Sequence, residues 1–213
     1  MMRAISMASW PAALATLALA ALLAAAPRAQ AHPMPGAPAP AFTAADIDGR
    51  TVDLAAFKGR IVVLEWTNHE CPYTIKHYRS GNMQRLQREA TERFGAVWIQ
   101  IVSSAPGKQG YVTADEARRL NAERGAYVTH VVLDPDGRIG RLYHARTTPH
   151  MFVIAPDGTL AYMGAIDDRP TADVADIAGA RNYVRAALEA VAAGRPVPEP
   201  STRPYGCTVK YAD

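Results

Sequence analysis

The sequence predicts an α/β domain of three layers, with helices on both faces of a mixed central sheet and a hairpin extension at its N-terminal end. Three observations predict it. Two apolar, β-branched runs at residues 61–66 and 96–102 read as buried strands, separated by a long stretch of helical periodicity. A strand–helix–strand order implies parallel pairing through a right-handed crossover. Further on, Phe152-Val153-Ile154 and Leu160-Ala161-Tyr162-Met163 flank Pro156-Asp157-Gly158, which reads as an antiparallel hairpin and makes the sheet mixed.

Each element has its own signal. Residues 46–54 read as the short hairpin, with its turn at Asp48-Gly49. After the first central strand, helix is predicted over 73–94. There Ile75, Tyr78, Met83, Leu86, Ala90 and Phe94 recur at steps of three, four and five, and Ser80-Gly81-Asn82 kinks or splits the run. Residues 103–111 read as a loop. Thr113-Ala114-Asp115-Glu116 is a capping box that opens a helix running to about Arg124. A third strand is predicted over 128–133, a turn at Asp134-Pro135-Asp136-Gly137, and a short helix or turn over 139–144. The last helix is predicted over 180–193, ended by Gly194 and Pro196.

The chain of 213 residues divides into four stretches. Residues 1–31 read as a secretory signal peptide: Arg3 opens it, an Ala/Leu run fills it, and Ala29-Gln30-Ala31 is a small-x-small cleavage site. The apolar run falls short of the roughly 20 residues that span a bilayer. The expected location is therefore the periplasm or the exterior, with a membrane anchor as the alternative if the segment is not cleaved. Residues 32–41 form a Pro-rich leader, expected to be extended and mobile, whose His32 would be the mature N-terminus. Residues 42–194 are the domain, and residues 195–213 a tail with little local pattern. The signal holds two of the 23 basic residues and none of the 20 acidic ones, so the mature charge is near neutral and does not point to nucleic acid.

Two cysteines, Cys71 and Cys207, are too few for a disulfide scaffold in an oxidising compartment. Cys71 follows a strand and precedes Pro72, a residue favoured at the first helical position. Backbone N–H groups and the helix dipole there favour an anion, which lowers a thiol pKa and makes the sulfur a nucleophile. A second stretch, from Arg146 through Thr147, Thr148 and Pro149 to the strand at 150–154, reads as a loop ending in Thr-Pro.

Together these motifs resemble the thioredoxin superfamily, in which the active-site cysteine faces a loop whose Thr-Pro bond is cis. The site Asn68-His69-Glu70-Cys71-Pro72-Tyr73 and the tail Gly206-Cys207-Thr208-Val209-Lys210-Tyr211 are similar to the peroxiredoxin-like branch of the redoxins, the AhpC/TSA group. The resemblance implies a thioredoxin-like fold and a thiol oxidoreductase or thiol peroxidase with no cofactor and no metal. Cys71 would be the nucleophile toward a peroxide or disulfide, Cys207 the possible resolving thiol, and an external thiol or thioredoxin-type protein the electron donor. Two departures stand out. Thr74 occupies the second position of the Cys-x-x-Cys pattern, which excludes a dithiol cycle within that motif. Thr67 lies four residues before Cys71, where peroxiredoxins place a threonine three before, and Pro149 stands where they use an arginine. Candidate site residues are therefore Cys71, Cys207, Thr67, Thr74, His69, Thr148, Pro149 and Arg146. Arg146 is considered as a source of charge, His69 as a proton carrier, and Tyr73 as a cover. Two other readings stay open: a non-catalytic module pinned by a structural Cys71–Cys207 bridge, and envelope copper handling through Cys71, His69, His32 and Met34.

Overall fold

The computed structural model describes residues 32–213; the signal-peptide reading falls on residues 1–31, outside the described residues. Five strands make the central sheet in the order β5-β4-β3-β7-β8. They are β3 (Val62–Trp66), β4 (Val97–Val102), β5 (His130–Leu133), β7 (His150–Ile154) and β8 (Leu160–Gly164). β3 runs parallel to β4, and β4 to β5, while β7 is antiparallel to both β3 and β8. The mixed sheet and its thioredoxin-like order are those expected. The hairpin extension is β1 (Thr43–Ala45) and β2 (Thr51–Asp53), closed over Asp46 to Gly49.

Alternation along β3 divides the core. Val62, Leu64 and Trp66 point to one face, where Phe42, Val52, Leu54, Ile139 and Tyr143 cover them. Trp66 is fully buried there between Tyr143 and Phe152, with ring centroids 5.4 and 5.1 Å away. Val63 points to the other face, against α1 (Pro72–Arg79), α2 (Asn82–Arg88) and α5 (Tyr183–Ala192). The outer layers are unequal: α3 (Ala114–Glu123) joins the heavier helical face through Ala117, whereas the opposite face carries the hairpin, a 3-10 turn at Leu54–Phe57 and only the short α4 (Arg138–Leu142).

Glu65 also faces the helices and is fully buried in β3. Its carboxylate accepts from Tyr78 Oη at 2.9 Å, Trp98 Nε1 at 2.9 Å and Gln87 Nε2 at 3.1 Å. A buried charge stays tolerable only when its lone pairs are occupied in this way.

The long helix predicted over 73–94 is split, and its sequence states why. Gly81 takes φ +70°, a left-handed conformation that ends α1 and caps α2. A π turn, Glu89–Arg93, finishes the segment. α5 begins three residues later than its pattern predicts, because the Asn182 side chain caps it by accepting from Arg185 N at 2.8 Å.

The leader departs from expectation. It runs antiparallel to the start of β8, with Gly36 N donating to Leu160 O and Ala39 N to Gly158 O, both at 2.9 Å. The tail is likewise fixed. It first lies along β8, where Met163 N donates to Pro200 O and Thr202 N to Met163 O. It then crosses the sheet ends as β9 (Cys207–Thr208), antiparallel to the two-residue β6 (Thr147–Thr148). Its far end is held by Ala105 N donating to Lys210 O and by Tyr211 Oη donating to Ala145 O, both at 2.8 Å.

Candidate active site

The register of the sheet builds the site. Trp66, the last residue of β3, pairs with His150, the first of β7, so the loop leaving β3 meets the loop entering β7. The β3 exit turns at Asn68. Its carbonyl accepts from Cys71 N at 3.1 Å and its side-chain Oδ1 from Glu70 N at 2.9 Å, an Asx turn that aims the chain into α1. Cys71 is the helix N-cap and Pro72 its first residue. Across the gap, the Thr148–Pro149 bond is cis.

The Cys71 thiol is fully buried and lies 3.0 Å from the Thr148 carbonyl, to which it donates. From the tail, Cys207 N donates to Cys71 Sγ at 3.4 Å. Residues Cys71, Thr148, Pro149 and Cys207 thus converge, and both cysteines carry free thiols. Burial pushes the Cys71 thiol up. The nearby Cys207 side chain, the Thr74 N–H at the helix start, the Thr148 side chain and the Cys207 N–H together outweigh it and hold the thiol below its ordinary range. The opposite happens at Cys207, whose thiol is raised by burial, then by its hydrogen bond to Cys71 and by the charge there. Of the two thiols, Cys71 is therefore the one that loses its proton first.

Other expected residues sit around this centre. Thr67 continues the β3 ladder by donating its N–H to Ile101 O at 3.0 Å, and its buried hydroxyl has no hydrogen-bond partner among the described residues. The Thr74 hydroxyl is likewise buried and unpartnered. His69 turns toward α3, where it lines a cavity of about 260 Å³ with Thr74, Ile75, Tyr78, Leu120 and Arg124; burial depresses its pKa. Arg146 has an exposed side chain that forms no hydrogen bond among the described residues, while its carbonyl accepts from Val209 N at 3.0 Å. Glu70 accepts from Gly110 N, and neither it nor Glu65 hydrogen-bonds Cys71. The copper set of Cys71, His69, His32 and Met34 is not assembled: among the described residues no three His, Cys, Asp or Glu side chains are grouped to hold a metal ion.

The contacts that hold the tail went unread in the sequence. Tyr205 Oη lies 3.2 Å from His77 Nε2 and hydrogen-bonds Asp167. Asn82 Nδ2 donates to His77 Nδ1 at 2.9 Å, which leaves the imidazole proton on Nε2 and directs it to Tyr205. Burial holds His77 at a pKa of about 3, so the ring stays neutral. Gly206 passes so close to the Thr148 carbonyl that a Cβ there would lie 2.1 Å from its oxygen, and its φ is +129°. The only sequence signal for this crossing is a glycine directly before the second cysteine.

A mixed sheet of this order between helical layers, with Cys71 at a helix N-terminus beside the Thr148–Pro149 loop, is a thioredoxin-like fold. The chain belongs to the AhpC/TSA family, whose model matches residues 35–163. It is accordingly a thiol oxidoreductase of the redoxin type. The family match ends within β8, so α5 and the tail with Cys207 lie beyond it. Two of the solved structures that share the fold cover most of the chain. One is an uncharacterized conserved protein from Geobacillus kaustophilus, with TM-score 0.69, 24% identity, and coverage of 84% of this chain and 93% of that one. The other is a hypothetical protein from Sinorhizobium meliloti 1021, with TM-score 0.68, 23% identity, and coverage of 84% and 95%. No curated protein matches the sequence significantly.

Proposed function

We propose that the protein is a two-cysteine, peroxide-reducing enzyme of the cell envelope. The observation that carries this reading is the Cys207 N–H directed at Cys71 Sγ from 3.4 Å, with β9 laid across the Thr148 loop. The Cys71 thiolate attacks the distal oxygen of a hydroperoxide. The O–O bond breaks, the leaving alkoxide takes a proton, and Cys71 becomes a sulfenic acid. The Cys207 thiol then attacks that sulfur, releases water and forms the Cys71–Cys207 disulfide. An external thiol or thioredoxin-type donor supplies the two electrons that restore both thiols.

Access favours a small oxidant. The backbone edge at Thr147–Thr148 is already paired with β9, so a polypeptide disulfide could pair there only by displacing the tail. A hydroperoxide needs a smaller opening over the buried sulfur. The reading gives no step to His69 or Arg146, whose side chains hydrogen-bond neither cysteine. The envelope location rests on the signal-peptide pattern in residues 1–31. No helix among the described residues is long and apolar enough to cross a membrane.

Thiol mapping by mass spectrometry on the mature protein tests the proposal, before reduction, after reduction, and after a small excess of peroxide. A Cys71–Cys207 bridge that a dithiol opens easily and peroxide quickly remakes is the expected result. Sulfenate at Cys71 with Cys207 still free would remove the resolving role. Remaking by a protein disulfide but not by peroxide would change the substrate. A bridge present from the start and resistant to reduction would leave a structural clamp in place of an enzyme.

A further inference from the structure

The first described residue of the leader is not a loose end. His32 Nδ1 lies 3.0 Å from Nε2 and 3.3 Å from Nδ1 of His144, with the ring centroids 4.3 Å apart. The chain that brings His32 there is secured on both sides of the turn that follows. Pro33 is buried, and Gly36 and Ala39 are hydrogen-bonded to the β7–β8 hairpin. His144 has φ +50° and is the sole non-glycine with positive φ among the described residues. Glycine adopts that conformation most readily, so a histidine there carries a backbone cost that packing does not explain: its side chain is exposed.

The thiol chemistry uses neither ring. Cleavage after Ala31 gives His32 a free α-amine. The amine and Nδ1 of one N-terminal histidine close a six-membered chelate on a metal. The next donor an N-terminal peptide ordinarily offers is the amide nitrogen of its second residue. Here that residue is Pro33, which has no N–H to lose. The leader therefore supplies two nitrogens and stops, leaving a position for a ligand from elsewhere in the fold. His144 stands there. Two nitrogens, each about 2.0 Å from one metal and at right angles, are about 2.8 Å apart, close to the 3.0 Å between His32 Nδ1 and His144 Nε2. A neutral three-nitrogen set with an open equatorial position suits tetragonal Cu(II), the divalent first-row ion such donors hold most tightly.

We propose that the signal-cleaved protein binds one Cu(II) through the His32 α-amine, His32 Nδ1 and an imidazole nitrogen of His144. The site depends on neither cysteine and stands or falls apart from the peroxide reading.

The test uses mature protein carrying C71S and C207S, so that thiols cannot take copper, with its first residue verified as His32 by intact mass. Titration with Cu(II) alone, read by electron paramagnetic resonance and by competition with a chelator, is expected to show one ion bound by three nitrogens. H144G should lower the affinity at least about tenfold and reduce the coupled nitrogens to two. Its thermal stability without copper should not fall, because glycine is at ease at φ +50°. Blocking the α-amine by N-terminal acetylation should weaken binding to a similar degree. Unchanged affinity in H144G, unchanged affinity with the α-amine acetylated, or a mature terminus at another position would each overturn the proposal.

Discussion

Cys71 and Cys207 face each other across one small site but are built by opposite means. Cys71 is made by its immediate neighbours: a buried strand, the Asn68 turn, Pro72 and a helix start. Cys207 sits in a tail with no periodicity, placed by partners 40 to 130 positions away in the chain, among them His77, Thr148 and Asp167. On the proposed reading the difference suits their roles. A local frame can hold a sulfur at a helix N-terminus in every state of the cycle. The tail is anchored at Pro200–Thr202 on one side and at Lys210–Tyr211 on the other, with two ladder pairs between, and on that reading the middle stretch is the strap that lifts and returns for a resolving thiol over a buried nucleophile.

The sharpest way to test that division is to remove each sulfur in turn. C71S should abolish peroxide turnover, a loss of at least about 10³-fold in kcat/KM. C207S should leave the first oxidation of Cys71 within about threefold in a single-turnover experiment and stall the cycle at the sulfenic acid. Equal loss of the first step in both variants would mean that the tail helps to activate Cys71 as much as the helix does.

The next test moves the strap without touching a sulfur. G206A places a methyl group against the Thr148 carbonyl at a φ of +129°. A cost of about 1–3 kcal/mol is expected for the closed tail. Alkylation of Cys71 in the native protein should rise, and formation of the Cys71–Cys207 bridge should slow about tenfold or more. Unaltered alkylation would place the flexible part of the site elsewhere than in the tail.

Titration separates the two thiols by sign. Cys71 has a folded pKa below its unfolded value, so its contribution to stability is present above the unfolded pKa of about 8.5 and is lost as pH falls through the folded value. Cys207 is raised, to about 12, so its contribution is complete below about 8.5 and is lost as pH climbs toward about 12. Tail opening, followed by hydrogen exchange at the Val209 amide, should therefore increase on the alkaline side in the native protein and lose that dependence in C207S.

The same contrast decides what could be read from the sequence. The β3–α1 corner was legible because its signals lie within a dozen residues: a β-branched run, a polar break, Cys71 and Pro72. Gly81 announced the helix split for a similar reason. The tail was legible only as a motif. Two-residue strands have no period, and β9 exists because β6 lies beside it. Tyr205 and Tyr211 look like any tyrosines until their partners are in place. The leader was misjudged by the same logic, since proline-rich composition describes backbone preference but not the β8 neighbour that accepts its hydrogen bonds.

The smallest effects concern Thr67 and Thr74, two of the candidate site residues. Both hydroxyls are buried without a partner, and an unpaired buried hydroxyl opposes folding. Valine keeps the shape and removes the unmet group, so T67V and T74V should each change stability by no more than about 1 kcal/mol, with a gain the expected sign. If the helix amides and the strap alone hold the thiolate, the rate of Cys71 oxidation should also stay within about twofold. A stabilised T74V that oxidises tenfold more slowly would show that its hydroxyl turns toward the sulfur once the tail lifts, and would extend the local frame of Cys71 by one donor.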